Sequence, residues 1–192
     1  MPFNLPIFLT WLRIVAIPLL IAVYYVPDGW LYGHSRDLAA SVLFCAAAVT
    51  DWFDGYLARK LNQTSAFGAF LDPVADKLMV AAALIVLVQL GRTDVIIATI
   101  IIGREITISA LREWMAQIGA HRSVAVSMIG KIKTTAQMLA IPMLLFYTPL
   151  AGFDMKEAGT WLIYVAAALT LWSMGYYMRM AWPEIVKRER HM

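Results

Sequence analysis

The sequence predicts an all-α protein, a polytopic membrane bundle of about six transmembrane helices. Three observations carry that prediction: composition, the length of the apolar stretches, and the placement of basic residues. Of 192 residues, 61% are hydrophobic and 15% charged, with a mean hydropathy of +0.68. Soluble domains run near roughly 45–50% apolar and about 25% charged, so water is the wrong solvent for most of this chain. The same arithmetic excludes a disordered tail, a collagen-like chain and a secreted disulfide scaffold. Cys45 is the single cysteine; within the run Leu43 to Ala46 it reads as a buried, inert thiol.

A spanning helix needs roughly 20 apolar residues. The first stretch of that order lies near 5–26 and stops at Pro27, Asp28 and Gly29. It is read as retained, because Met1 to Asn4 lack the basic start of a signal peptide and Arg13 interrupts the apolar run. The second, near 38–58, is closed by Asn62, Gln63, Thr64 and Ser65; the third, near 73–90, by Gly91 to Asp94. The fourth, near 94–114, gives way to Gly119, Ala120, His121 and Arg122, and the fifth covers 125–147. Gly152, Phe153 and Asp154 then lead into a sixth near 158–180. Each break carries turn chemistry. No internal repeat or long linker divides the chain, so residues 1–192 read as one integral-membrane domain.

The net charge of +3 and pI near 9.1 do not point to nucleic acid, because the basic residues form no single stripe. Arg59, Lys60, Arg112, Arg122, Lys131, Lys133, Lys187, Arg188 and Arg190 follow the second and fourth helices or fall in the tail, against Arg36, Arg92 and Lys156 in the alternate loops. The positive-inside rule places both termini in the cytoplasm. Trp30, Trp114 and Trp182 suit an interfacial belt.

Charge inside a span is costly and functional by default. Asp51, Asp54, Asp72 and Asp76 fall within 26 residues of apolar or small sequence. Relative to Asp51, Asp54 lies about −60° around a helix axis, Gly55 about +40° and Ala58 about −20°, so two carboxylates share a face with two of the smallest residues. Asp72 and Asp76 have the i,i+4 spacing that stacks side chains. A turn at Leu61 to Ser65 lets the two helices run antiparallel and gather all four carboxylates. Such a group needs protons or cations to neutralise it. All-oxygen hard ligands suit Mg²⁺ or Mn²⁺, and the ligand count suits two ions, an arrangement that handles phosphoryl groups. Gly55, Ala58 and Gly68 then fit as positions where a bulky ligand approaches the backbone. The competing reading makes the aspartates helix caps or partners of Arg59, Lys60 and Lys77, with Asp72 an N-cap before Pro73.

Asp51, Asp54, Gly55, Ala58 and Arg59, followed by Gly68, Asp72 and Asp76, fit every fixed position of the CDP-alcohol phosphotransferase signature. The chain resembles that family along nearly its whole length. Asn4, Leu5 and Pro6 with Thr10 and Arg13, Gly103 to Ile106, Leu111 to Trp114, and Gly130 to Thr134 look like the bacterial branch that makes phosphatidylglycerophosphate. The resemblance implies a six-helix homodimer in the bacterial inner membrane, with the site toward the cytoplasm. It implies transfer of the phosphatidyl group of CDP-diacylglycerol to sn-glycerol 3-phosphate, with release of CMP. By the same analogy Asp51, Asp54 and Asp72 ligate the metals, Asp76 both ligates and acts as base, and Gly55, Ala58, Arg59, Ser65 and Gly68 line the CDP moiety.

Glycerol 3-phosphate is a dianion near neutral pH, so its site needs cations. Arg112, Lys131 and Lys133 cluster at the cytoplasmic ends of the fourth and fifth helices and are the candidates; plain headgroup anchoring is the alternative. The two lysines stand about 200° apart on a helix, so both face one ligand only if the helix begins there. Arg104 and Glu105 read as an intramembrane ion pair, or as an arginine holding an acidic ligand. His121 and Arg122 read as solvent-facing. Arg179 either reaches the pocket or snorkels. Asn4, Thr10 and Arg13 contact nucleotide or anchor the first helix. Other acceptors within the family (serine, inositol phosphate, phosphatidylglycerol) and a divalent-cation transporter are the rival functions.

Overall fold

A computed structural model describes residues 5–27, 29–60, 66–117 and 128–189. Six α-helices account for nearly all of them: α1 (Leu5–Ala22), α2 (Gly33–Lys60), α3 (Ala66–Gln89), α4 (Val95–Gln117), α5 (Met128–Phe146) and α6 (Met155–Glu189). A 3-10 turn, Val23–Tyr25, follows α1. The fold class is the predicted one, and every apolar stretch becomes a helix. The observed helices overrun several predicted ends, because their last turns carry polar residues that hydropathy does not count.

Among the described residues, two helices, over Phe8–Tyr25 and Met155–Pro183, are long and apolar enough on their own to cross a membrane. The others carry the charges that lower their average, and those charges build the site. Much of the outer surface is apolar: Trp30, Trp161 and Trp172, among many others, are exposed. An aqueous surface would not carry so many large apolar side chains; hydrocarbon would. Cys45 belongs to this outer face. It is exposed on α2, not buried as its apolar neighbours suggested, because Phe44 and Ala47 take the inward positions.

α1 lies across α2 and α3, α2 packs on α5, and α6 packs along α5 and α4. The main core runs through all six helices, with Leu20, Phe44, Leu84, Leu87, Ile101 and Leu144 among its fully buried members. A smaller cluster of Ile108, Met115, Tyr177 and Ala181 joins α4 to α6 near the cytoplasmic end expected for them. α6 presents a stripe of small residues inward, with Gly159, Ala166, Ala167, Thr170, Ser173 and Ala181 all buried. Helices in lipid gain from such close backbone approach, since apolar side chains alone favour neither protein nor lipid.

Polar contacts finish the ends. Asp94 Oδ1 accepts from Ile96 N at 2.7 Å and Asp154 Oδ1 from Glu157 N at 3.0 Å, capping α4 and α6. Gly91 turns the chain between α3 and α4 at φ +65°. Arg92, next to it, donates to the terminal carbonyls of α5 (Leu144, 3.2 Å; Leu145, 2.6 Å) and to Asp37 of α2 at 2.7 Å. One guanidinium thus caps α5 and ties it to α2 and the α3–α4 turn.

Candidate active site

The site begins on α1. Thr10 and Arg13 are three residues apart, so they share a helix face, and both are buried, at 1% and 2% exposure. Arg13 pairs with Asp51 of α2 at 2.7 Å. Thr10 donates a hydrogen bond to Asp72 of α3 at 2.5 Å. The first aspartate of each pair is therefore gripped from the same face of α1. Neither residue is a surface anchor, as one reading of the sequence had it. The side chain of Asn4 lies outside the described residues, as do those of Asp54, Gly55, Ala58, Arg59 and Lys131, and all of Ser65, His121 and Arg122.

The capping alternative for Asp72 fails on the course of the helix. α3 starts at Ala66, so Asp72 lies well inside it and Pro73 is an interior proline. Pro73 has no N–H to return to the preceding turn, a local weakness tolerated in membrane helices where neighbours re-satisfy the backbone. Gly68, in the first turn, is buried. One turn beyond Asp72, Asp76 opens into a cavity of about 150 Å³. Lys77 lines the same cavity, together with Arg104, Glu105 and Arg112 of α4 and Thr134 and Gln137 of α5.

The two arginines of this cavity are held in place by other side chains. Glu105 accepts from Arg104 at 3.3 Å and from Lys133, a residue with no exposed surface. Arg104 also donates to Ser173 of α6 at 3.2 Å. Arg112 and Arg104 lie over the ring of Tyr177, at 5.4 and 5.7 Å from its centroid, and Arg112 reaches the Tyr177 hydroxyl at 3.5 Å. The expected Arg104–Glu105 ion pair is present. Of the acceptor-pocket candidates, Arg112 lines the cavity while Lys133 reaches it through Glu105. α5 begins at Met128, upstream of both lysines, so the condition for the two to face one ligand is not met. Arg179 is exposed on α6.

Gln137, Tyr177 and Ser173 escaped the sequence reading. An uncharged polar residue in an apolar run was the available signal for Gln137 and Ser173. Tyr177 gave none, because a tyrosine near a helix end reads first as an interfacial anchor.

The arrangement joins carboxylates on α2 and α3 to a cationic cavity lined by α3, α4 and α5, with α6 behind its arginines. Comparison with known sequences says what kind of protein carries it. The CDP-alcohol phosphatidyltransferase family profile matches residues 3–172. The chain belongs to that family. It is 50% identical over 183 residues to the CDP-diacylglycerol–glycerol-3-phosphate 3-phosphatidyltransferase of Escherichia coli strain K12, covering 94% of this chain and 96% of that protein. The enzymes of the same name from Shigella sonnei strain Ss046 and Salmonella choleraesuis strain SC-B67 are 50% and 49% identical over the same coverage.

CDP-alcohol phosphatidyltransferases use divalent metals, and the donors here suit such an ion: carboxylates, with no imidazole or thiolate beside them among the described residues. Among the described side chains, which exclude Asp54, no three acidic, histidine or cysteine groups converge on one point. Asp51 and Asp72 are instead neutralised or bonded from α1.

Proposed function

We propose that this protein transfers the phosphatidyl group of CDP-diacylglycerol to the primary hydroxyl of sn-glycerol 3-phosphate, giving phosphatidylglycerophosphate and CMP. The observation that carries the proposal is the shared cavity, where the Asp76 carboxylate meets the guanidinium groups of Arg104 and Arg112. A carboxylate and fixed cations in one small chamber suit an acceptor that is both an alcohol and a phosphate.

In the reaction, Asp76 takes the proton of the acceptor hydroxyl. The oxygen attacks the phosphorus of the phosphatidyl group, and the bond from that phosphorus to the bridging oxygen of CMP breaks. Arg112 and Arg104 hold the acceptor phosphate away from the new bond, and Lys133 balances the charge of Glu105 beside them. Gly55, Ala58, Arg59, Ser65 and Gly68 line the cytidine diphosphate. Asp51, Asp54, Asp72 and Asp76 would hold two Mg²⁺ or Mn²⁺ ions, which would supply neutralisation of the diphosphate and of departing CMP. Arg13 and Thr10 orient Asp51 and Asp72 for that task. The family resemblance also supports a homodimer in a bacterial inner membrane, both termini and the site facing the cytoplasm.

The deciding measurement is CMP release by purified protein from CDP-diacylglycerol, with and without glycerol 3-phosphate, and with serine, inositol phosphate or phosphatidylglycerol in its place. Release that depends on glycerol 3-phosphate, is lost on chelation and returns with Mg²⁺ or Mn²⁺ is the expected result. Cation flux in proteoliposomes without CMP release would make the protein a transporter instead. Asp76→Asn keeps the shape but cannot take a proton, so turnover should fall far more than CDP-diacylglycerol binding. Wild-type turnover of Asp76→Asn at saturating metal would remove the base from Asp76.

A further inference from the structure

The cavity contains a buried amide that this chemistry leaves unused. Gln137 lies on α5 one turn beyond Lys133, is 3% exposed, and lines the cavity with Asp76 and Arg112. Its Oε1 is out of contact with solvent and has no hydrogen-bond partner among the described residues. Buried amide oxygens are nearly always paired; of the donors nearest on α5, Lys133 is committed to Glu105 and Thr134, on the same cavity wall, makes no hydrogen bond to Gln137 Oε1. The missing partner is therefore a donor brought into the cavity.

An amide oxygen accepts only. The phosphate of the acceptor, ionised, offers no donor and belongs with the arginines. The primary hydroxyl gives its proton to Asp76. What remains on a glycerol phosphate is the secondary hydroxyl of the middle carbon, a donor placed between the other two groups. Gln137 lines the wall of the same chamber. We propose that Gln137 accepts a hydrogen bond from this secondary hydroxyl and so selects a phosphorylated glycerol over phosphorylated alcohols that lack it. The inference rests on the glycerol 3-phosphate reading and deepens it.

The test pairs glycerol 3-phosphate with 3-hydroxypropyl phosphate, which keeps the phosphate and the attacking hydroxyl but lacks the secondary one. A site built around a hydroxyl rejects the analogue without it, because the buried acceptor is then left unpaired. With full-length protein in detergent and CDP-diacylglycerol as donor, kcat/KM should favour glycerol 3-phosphate by about tenfold to a hundredfold. Gln137→Met should bring the two acceptors to within about threefold of each other, chiefly by losing glycerol 3-phosphate, with the KM for CDP-diacylglycerol unchanged. Gln137→Ala gives the same comparison should the methionine variant fold poorly. Equal use of both acceptors by the wild type, or a preference that survives in the folded variant, overturns the assignment. A wild type that releases CMP with neither acceptor, or only with a different alcohol, overturns the glycerol 3-phosphate reading itself.

Discussion

Tyr177 touches no expected substrate atom, yet two cavity cations depend on it. Its ring lies under Arg104 and Arg112, and it is wholly buried. A cation over an aromatic face gains about 0.5–1 kcal/mol when exposed and about 2 kcal/mol when desolvated. Tyr177→Leu should therefore raise the KM for glycerol 3-phosphate by roughly three- to thirtyfold. Tyr177→Phe keeps the ring under both arginines and loses the 3.5 Å contact to Arg112, so it should stay closer to wild type than Tyr177→Leu. The KM for CDP-diacylglycerol serves as the control, since neither arginine belongs to its expected site. Arg112→Ala sets the ceiling: loss of a hydrogen bond to an ionised group costs about 1.5–3 kcal/mol, or one to two decades in apparent acceptor affinity. A Tyr177→Leu variant with normal acceptor KM would make the tyrosine a packing residue only. The four aspartates were legible in the sequence because charge in an apolar run announces itself. Their support was less legible: Thr10 and Arg13 are distant in sequence from Asp72 and Asp51, and only the placement of α1 between α2 and α3 reveals the two contacts.

Elements show the same division between local and long-range information. Six helices followed from hydropathy and turn residues, since both are local. The interior position of Pro73 and the outward position of Cys45 were not legible, because each depends on where a helix starts or which face its neighbours cover. Packing of α5 against α6 is the sharpest case. A Cβ placed on Gly159 would lie 2.9 Å from Leu144 Cγ and 3.2 Å from the Leu144 backbone nitrogen, closer than side chains normally approach. Gly to Ala in a helix interior ordinarily gains about 0.5–1 kcal/mol. Overpacking a tight contact costs typically 1–3 kcal/mol, and the backbone atom cannot move aside as a side chain can. Gly159→Ala should thus be neutral to destabilising, and Gly159→Val clearly destabilising, by thermal unfolding in detergent. In a Leu144→Ala background, itself less stable, Gly159→Ala should cost less than in the wild type, because the Cγ contact is gone. Gly159→Val with wild-type stability would mean that α5 and α6 are less closely joined than their geometry indicates.

At the scale of the molecule, α6 sets the register of the bundle in the bilayer. Its 35 residues span about 52 Å at 1.5 Å per residue, against roughly 30 Å of hydrocarbon. The helix must leave the apolar layer, and it ends in Lys187 and Arg188, next to the basic tail. Those charges favour the cytoplasm, as does the expected loop around Arg122. The opposite surface then carries the α1–α2 turn with Trp30, 86% exposed, and the Asp37–Arg92 clasp that caps α5. The cavity of Asp76 and Arg112 lies toward the basic end, where CMP and glycerol 3-phosphate are soluble partners. This sidedness is testable because Cys45 is the single native thiol. In a Cys45→Ser background, Gly29→Cys should react with a membrane-impermeant maleimide on intact spheroplasts. Arg122→Cys should react only after the membrane is opened. Both variants should keep CMP release, since neither residue belongs to the site. The reverse labelling pattern would turn the bundle over, placing the cavity outside the cell and away from its nucleotide-linked donor.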